Sequence, residues 1–406
     1  MSAASLAASR DADVIVVGAG PAGAATAILL AEQGLGVIVL DRARFPRPKI
    51  CGEYLSPEAG RILDRLGVLK TLDALAMPLK GMRITAPDGT VLEGTYRAIG
   101  DRRPYRHHAM AIPRLALDAC LVDRLRALPV DVREETRVID VVMEGDHVAG
   151  VETQDPGGFR RTLHAPIVVG ADGRTSVVAQ RLGCRRPHRL RRMALVTYAG
   201  GLADAGDRGE IFVDPPDYAI LNPVAPDRVN VSIVVPLAHA APFSDRLEEF
   251  FTARLKHLPH LAQRLAGAER VAPVQAMGPL AYRVVAPRHG GVLLAGDAAG
   301  FYDPFTGEGI FTALHSAELA ADTVARALRN GDVSARALGA FDRARRAAFR
   351  DKARVTRALQ AVISRRWLAN ATAHALARRP ALLDTLMGVI GDFVPPRALV
   401  AALAGR

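Results

Sequence analysis

At 406 residues, half of them hydrophobic and few aromatic, the chain is long enough for two or three domains and has the composition of a globular α/β protein. Three cysteines, Cys51, Cys120 and Cys184, show no C-x-x-C spacing, which excludes a disulfide framework, a dithiol redox motif and a four-cysteine iron–sulfur cluster. The formal charge of +11 rests on 53 basic residues, only 5 of them lysine, scattered along helices without interleaved aromatics, so no nucleic-acid partner is expected.

In chain order, residues 1–11 read as a loose leader without the apolar core of a signal peptide, and a cytoplasmic protein is expected. The uncharged run from Val14 to Ala31 is interrupted by Gly18, Gly20, Pro21 and Gly23, so a strand, turn and helix explain it better than a membrane span. Val14 to Val17 suit a buried parallel strand. Gly18-x-Gly20-x-x-Gly23 then permits a tight turn, a close backbone approach and close helix–strand packing, with Pro21 and Ala22 opening the helix. A second strand, "VIVLD", ends at Asp41, placed to bind an adenosine ribose hydroxyl, with Arg42 beside it. Together these features predict a dinucleotide site.

"KICGEYLSP" follows, with Cys51, Gly52 and Glu53 side by side and Arg47 and Lys49 next to them. Cys51 is read as a small thiol on a loop passing close to the cofactor or as a reactant, and Glu53 as a loop anchor or an acid. The two basic residues are read as offsets for cofactor charge, as a nicotinamide-phosphate site or as solvated surface. "PLKGMRI" opens an antiparallel strand with Lys80 as a solvated edge charge. His107, His108, Tyr218 and Asn222 are candidate cavity liners. "GMRITAPDGTVLEG", "EIFVD", "YAIL" and "RVNVSIVVP" predict a mainly antiparallel sheet. From Phe341 to the end the tail carries 13 basic and 4 acidic residues. It is expected to be helical, to pack over the cavity with Trp367, and to present either a solvated face or a peripheral contact with anionic lipid.

Two later segments sharpen the dinucleotide reading. "VVGADGRTSVV" ends a strand at Gly170-Ala-Asp172-Gly173, and "GVLLAGDAAGFYDPFTGEGI" ends one at Gly296-Asp297 before a loop and a long amphipathic helix. With the N-terminal glycines, and in this order, they resemble the FAD-dependent oxidoreductases that include p-hydroxybenzoate hydroxylase-like aromatic hydroxylases, geranylgeranyl reductases and flavin-dependent halogenases, over about residues 12–345. The resemblance implies FAD, with Asp297 on its ribityl chain and Pro304, Gly307, Gly309 and Ile310 passing its ring. It also implies Asp172 and Gly173 near the pyrophosphate, Arg114 of "AIPRLALDACLVDRL" neutralising the phosphates, and no metal. The fold it implies is a discontinuous Rossmann-like FAD-binding domain (12–75, 105–180, 280–345). An inserted antiparallel-sheet substrate domain (76–104, 185–279) and a helical C-terminal region (346–406) complete it.

Against the family's specificity motifs, "YAILNP" keeps Tyr218 and Pro223 in frame but lacks the tryptophan of both the reductases and the halogenases. "CG" at 51–52 resembles the reductases; Lys80 stands at roughly the distance of the lysine with which the halogenases handle hypohalous acid, but their serine-rich loop is replaced by "PFTGEGI". The expected function is an NAD(P)H-driven monooxygenase acting on a small hydrophobic aromatic or polyketide-like metabolite through a flavin C4a-hydroperoxide. A C=C reductase of a prenyl or lipid substrate is the alternative. A halogenase and a non-catalytic flavin-binding module stand behind these two.

Overall fold

The computed structural model describes residues 10–243 and 245–403, so most of the expected leader lies outside the described residues. A five-stranded parallel sheet is built from three distant parts of the chain. Val14–Val17 lies at its centre between Val37–Leu40 and Ile167–Gly170, with Val130–Arg133 and Val292–Leu294 outermost. The central strands are apolar at every position because both faces are covered. Val14, Val16, Val37 and Val39 pack under the helices Pro21–Ala31, Arg114–Arg126 and Gly309–Arg329. Ile15, Val17, Ile38 and Leu40 point the other way, toward a three-stranded antiparallel sheet spanning Arg137–Glu144, His147–Gln154 and Arg160–His164.

A second, larger sheet has the strand order Glu269–Arg270, Arg192–Gly200, Arg228–Pro236, Asp217–Ala225, Arg208–Asp214, Gly81–Thr85, Val91–Thr95, and Gln275–Met277 also pairs with Arg192–Gly200. It is antiparallel except where Arg208–Asp214 runs parallel to Gly81–Thr85. Here the two-residue period of a strand decides function. Leu195, Phe212, Leu221, Val231 and Ile233 face the helices Leu247–Lys256 and Pro259–Arg264. Ala194, Val196, Ile211, Ile220 and Val234 face the opposite way, toward the parallel-sheet half. A short sheet of Tyr54–Leu55, Met77–Leu79 and Ala109–Ala111 lies between the halves.

The C-terminal region is helical: Ala335–Val362, Arg366–Ala377, Pro380–Ile390 and Arg397–Leu403. The expected boundary at residue 346 falls inside the first of these. Ser334 caps that helix by accepting from Ala337 N, and no proline interrupts the following 28 residues. Trp367 is exposed rather than packed over the cavity. Among the described residues no helix is long and apolar enough to cross a membrane.

An ion cluster ties the helix Ala59–Arg65 to Gly309–Arg329. Glu318 accepts from Arg61 (3.2 and 3.1 Å), Arg65 (3.1 Å) and His315 (2.9 Å). Burial alone would raise the Glu318 carboxyl, but the bonds from His315 and Arg61 outweigh it and hold the pKa at about 2. A depressed carboxyl contributes stability above its unfolded pKa and loses it as pH falls toward the folded value. We therefore expect Glu318→Gln to cost about 1–2 kcal/mol at pH 7, reduced by screening at the half-exposed arginines. Urea unfolding across pH should show the gap closing from about pH 4.5 toward pH 2.

Candidate active site

At the end of the first strand the chain turns at Gly18 (φ +100°), whose amide donates to Leu40 O at 2.7 Å. A Cβ there would lie 2.6 Å from Ala171 O, and one on Gly23 would collide with Gly18 O. Both glycines are demanded by packing. Gly20 differs: a Cβ there meets only Arg47 Nη2, at 3.6 Å. It caps the helix Pro21–Ala31 without a side-chain hydrogen bond, leaving an open cradle at a helix N-terminus, where amides and dipole favour an anion. Asp41 closes the turn by accepting from Ala19 N (2.8 Å) and Ala43 N (2.9 Å).

This cradle is one end of a cavity of about 590 Å³. Of the residues singled out from sequence, Gly18, Gly20, Pro21, Ala22, Asp41, Arg42, Cys51, Gly52, Glu53, Arg114, Asp172, Gly173, Asn222, Asp297, Pro304, Gly307, Gly309 and Ile310 all line it. Gly23 and Gly296 lie behind the wall, the latter where a Cβ would press on Ala22 (2.7 Å). Tyr218 is a correction. Its side chain is fully buried and its hydroxyl donates to Asp303 at 2.6 Å, outside the cavity lining. His107 and His108 also lie away from the cavity, on a loop with His107 exposed. Lys80 pairs with Asp207 at 2.6 Å on the surface and does not reach the cavity.

Whether FAD fits can be judged from the polar wall. Gly52 and Gly173 have open space where a side chain would stand. The Asp297 carboxylate has no hydrogen-bond partner among the described residues and faces the cavity, an acceptor suited to the hydroxyls of a polyol chain. Burial raises its pKa against the pull of Lys49, Arg114 and Arg174. Asp172 Oδ2 holds Val177 N at 2.6 Å, while its buried Oδ1 is unpartnered. Arg114 is fixed by a two-point pair with Asp118 (2.9 and 2.8 Å), and Arg47 reaches the same carboxylate at 3.3 Å. Glycine cradle, free acceptors and fixed cations fit a molecule carrying pyrophosphate and a polyol.

Residues 51–53 are held from the larger sheet. Asn222 and Asn230 pair across neighbouring strands, and their side chains donate to Gly52 O (2.7 Å) and Cys51 O (2.9 Å). Glu53, at φ +58°, takes bonds from Arg114 N (2.9 Å), Tyr198 Oη (2.9 Å) and Asn230 Nδ2 (3.1 Å). Its carboxyl is committed to anchoring the loop. Burial pushes its pKa up although these bonds pull it down. Burial likewise raises the Cys51 thiol, against Arg114, so the thiol stays protonated at neutral pH. Sequence reasoning missed Tyr198 and Asn230. The available signal was strand alternation, which puts Asn230 on the same face as Val234.

Beyond this loop the wall is largely apolar, with Met82, Ile84, Val196, Ile220, Val234 and Leu280 around the hydroxyl of Ser232. Among the described residues no cluster of three or more His, Cys, Asp or Glu could hold a metal ion.

The glycine geometry separates cofactor binding from folding. Gly20→Val should keep a near-wild-type Tm but lose stoichiometric yellow FAD, and Asp297→Ala should weaken FAD in the same way. Gly23→Val should instead destabilise the apoprotein by more than about 3 kcal/mol. Thermal melts of apoprotein beside flavin content measure both.

The chain is 27% identical over 332 residues to the digeranylgeranylglycerophospholipid reductase of Methanosarcina mazei, covering 79% of this chain and 77% of that one. It superposes on the flavin-dependent halogenase CmlS with TM-score 0.76 and 27% identity, covering 84% of this chain and 63% of CmlS, so it spans less than two thirds of that protein. The brominase Bmp2, at 20% identity, shares the fold over 97% of this chain with TM-score 0.83. The FAD binding domain family matches residues 11–356. The chain belongs to that family of FAD-dependent oxidoreductases.

Proposed function

We propose that the protein is an NAD(P)H-driven monooxygenase that hydroxylates a small hydrophobic aromatic or polyketide-like metabolite. The observation that carries this reading is the cavity itself, where a polar cradle opens without a break into a chamber walled by Met82, Ile84, Val196, Ile220, Val234 and Leu280. Bound FAD supplies the two-electron redox chemistry and the activation of oxygen. The chain's own task is then to exclude water and orient an apolar substrate. Arg47 and Lys49 offer positive charge at the polar end, where a nicotinamide phosphate would be met. Burial, then Arg114 and Arg47, lowers the Lys49 pKa, so an arriving anion would favour its charged form. The position of Lys80 outside the cavity weighs against halogenation, for which that lysine was the candidate.

A second reading, reduction of a C=C bond, is favoured by one observation: the protonated Cys51 thiol stands on the cavity wall as a proton donor. The relatives named digeranylgeranylglycerophospholipid reductases support it as well.

The deciding experiment supplies NAD(P)H and ¹⁸O₂ to the holoenzyme with panels of phenols and of prenyl alkenes and weighs the products. One labelled oxygen in a phenol supports hydroxylation. A gain of two hydrogens by an alkene, with no label, overturns it in favour of reduction. Cys51→Ser sharpens the choice: hydroxylation should persist within about threefold, whereas reduction should fall about a hundredfold or more with its proton donor removed.

A further inference from the structure

The C-terminal helices touch the cofactor wall through a stripe of buried polar side chains. On the helix Ala335–Val362, Lys352, Thr356 and Gln360 recur every four residues and are all buried, on a helix that is otherwise rich in exposed arginine. Thr356 bonds its own helix, donating to Lys352 O at 3.1 Å. The other two reach across to the loop 303–308, whose Pro304, Phe305, Thr306 and Gly307 line the cavity.

Gln360 Nε2 donates to Asp303 Oδ1 at 2.6 Å, at the start of that loop. The same oxygen accepts from Tyr218 Oη (2.6 Å) and Phe305 N (2.9 Å), so helix, sheet and loop converge on one carboxylate. Lys352 Nζ stands 3.6 Å from Glu308 Oε1 at the end of the loop. It also pairs with Asp392 and donates to Ile390 O at 3.4 Å, which brings in the end of the helix Pro380–Ile390. Ile390 itself lines the cavity. At Gly307 the loop is stopped by Tyr54, whose ring lies 2.5 Å from where a Cβ would stand. The loop is therefore backed by a ring and tied at both ends by a single helix.

We infer that Lys352 and Gln360 are positioning residues. Through Glu308 and Asp303 they fix the loop 303–308, so that the C-terminal helices set the shape of the wall against which FAD sits. The inference rests on the FAD site and not on which reaction follows, and its test reads the cofactor.

The variants are Gln360→Leu, Lys352→Met and Lys352→Arg, with Arg354→Ala as an exposed control on the same helix. FAD affinity is measured by flavin fluorescence titration of the apoprotein, the bound flavin by its visible spectrum, and folding by Tm. Gln360→Leu and Lys352→Met should bind FAD roughly tenfold more weakly and shift the visible bands, while Lys352→Arg restores both and Arg354→Ala changes neither. A folded Gln360→Leu protein with wild-type FAD affinity and spectrum overturns the proposal, even if its Tm has dropped, because that result marks a purely structural contact. Should Lys352→Met fail to fold, Gln360→Leu and the Lys352→Arg rescue decide the matter alone.

Discussion

The buried carboxylate of Glu53 is a point at which the two halves of the protein are joined. It accepts the first amide of the helix Arg114–Arg126 from the parallel-sheet half, and a tyrosine hydroxyl and an asparagine amide from the larger sheet. A carboxylate this buried is costly unless its oxygens are satisfied, and removing one partner leaves the penalty uncompensated, at about 1–3 kcal/mol or more. The left-handed backbone at Glu53 is a second cost that the three bonds must hold in place. From this anchor follows the position of Cys51 and Gly52, and so the width of the cavity where cofactor and substrate would meet.

Charge around the cavity is arranged with the same economy. Asp118 is fully buried and fixes Arg114 by two bonds while standing within reach of Arg47. The cations are thereby held in place before any phosphate arrives, and little ordering is left to accompany binding. Asp297 keeps its carboxylate free toward the same space, and Asp172, which also lines it, holds one buried oxygen unpartnered, which is how a site differs from a finished core.

Past the loop the larger sheet supplies mainly shape. Apart from Asn222 and Ser232 its cavity face is apolar, because strand alternation sends the other set of residues into the helices Leu247–Lys256 and Pro259–Arg264. A protein whose chemistry is carried by a flavin can leave that face plain, and the same plain face can serve hydroxylases, reductases and halogenases. In this chain the Cys51 thiol, kept protonated by burial, stands on that wall, while Lys80 pairs with Asp207 outside the cavity.

Much of this was legible in the sequence because the signals were local. The glycine turn and the all-apolar strands are dictated by backbone sterics and by burial on both faces, and they announced a dinucleotide fold; FAD itself came from the family resemblance that the three ordered motifs carry. The strands "EIFVD" and "RVNVSIVVP" declared themselves by β-branched runs. Contacts between distant residues were not legible. Tyr218 kept its family frame yet turned into the core toward Asp303, because the partner that claims its hydroxyl lies 85 residues away. Asn230 looked like an ordinary residue of "RVNVSIVVP", and Tyr198 lay outside every predicted strand, until the loop came down on them. Glu53, ambiguous between acid and anchor, was decided by three bonds from three separate elements. Local sterics and periodicity let the sequence alone determine the phosphate cradle and the parallel strands around it, and its ordered motifs carried the resemblance that implied FAD. The positions of loop, thiol and helical clamp were decided only by the tertiary structure, because a buried polar group is defined by its partners and those partners are brought together only by the fold.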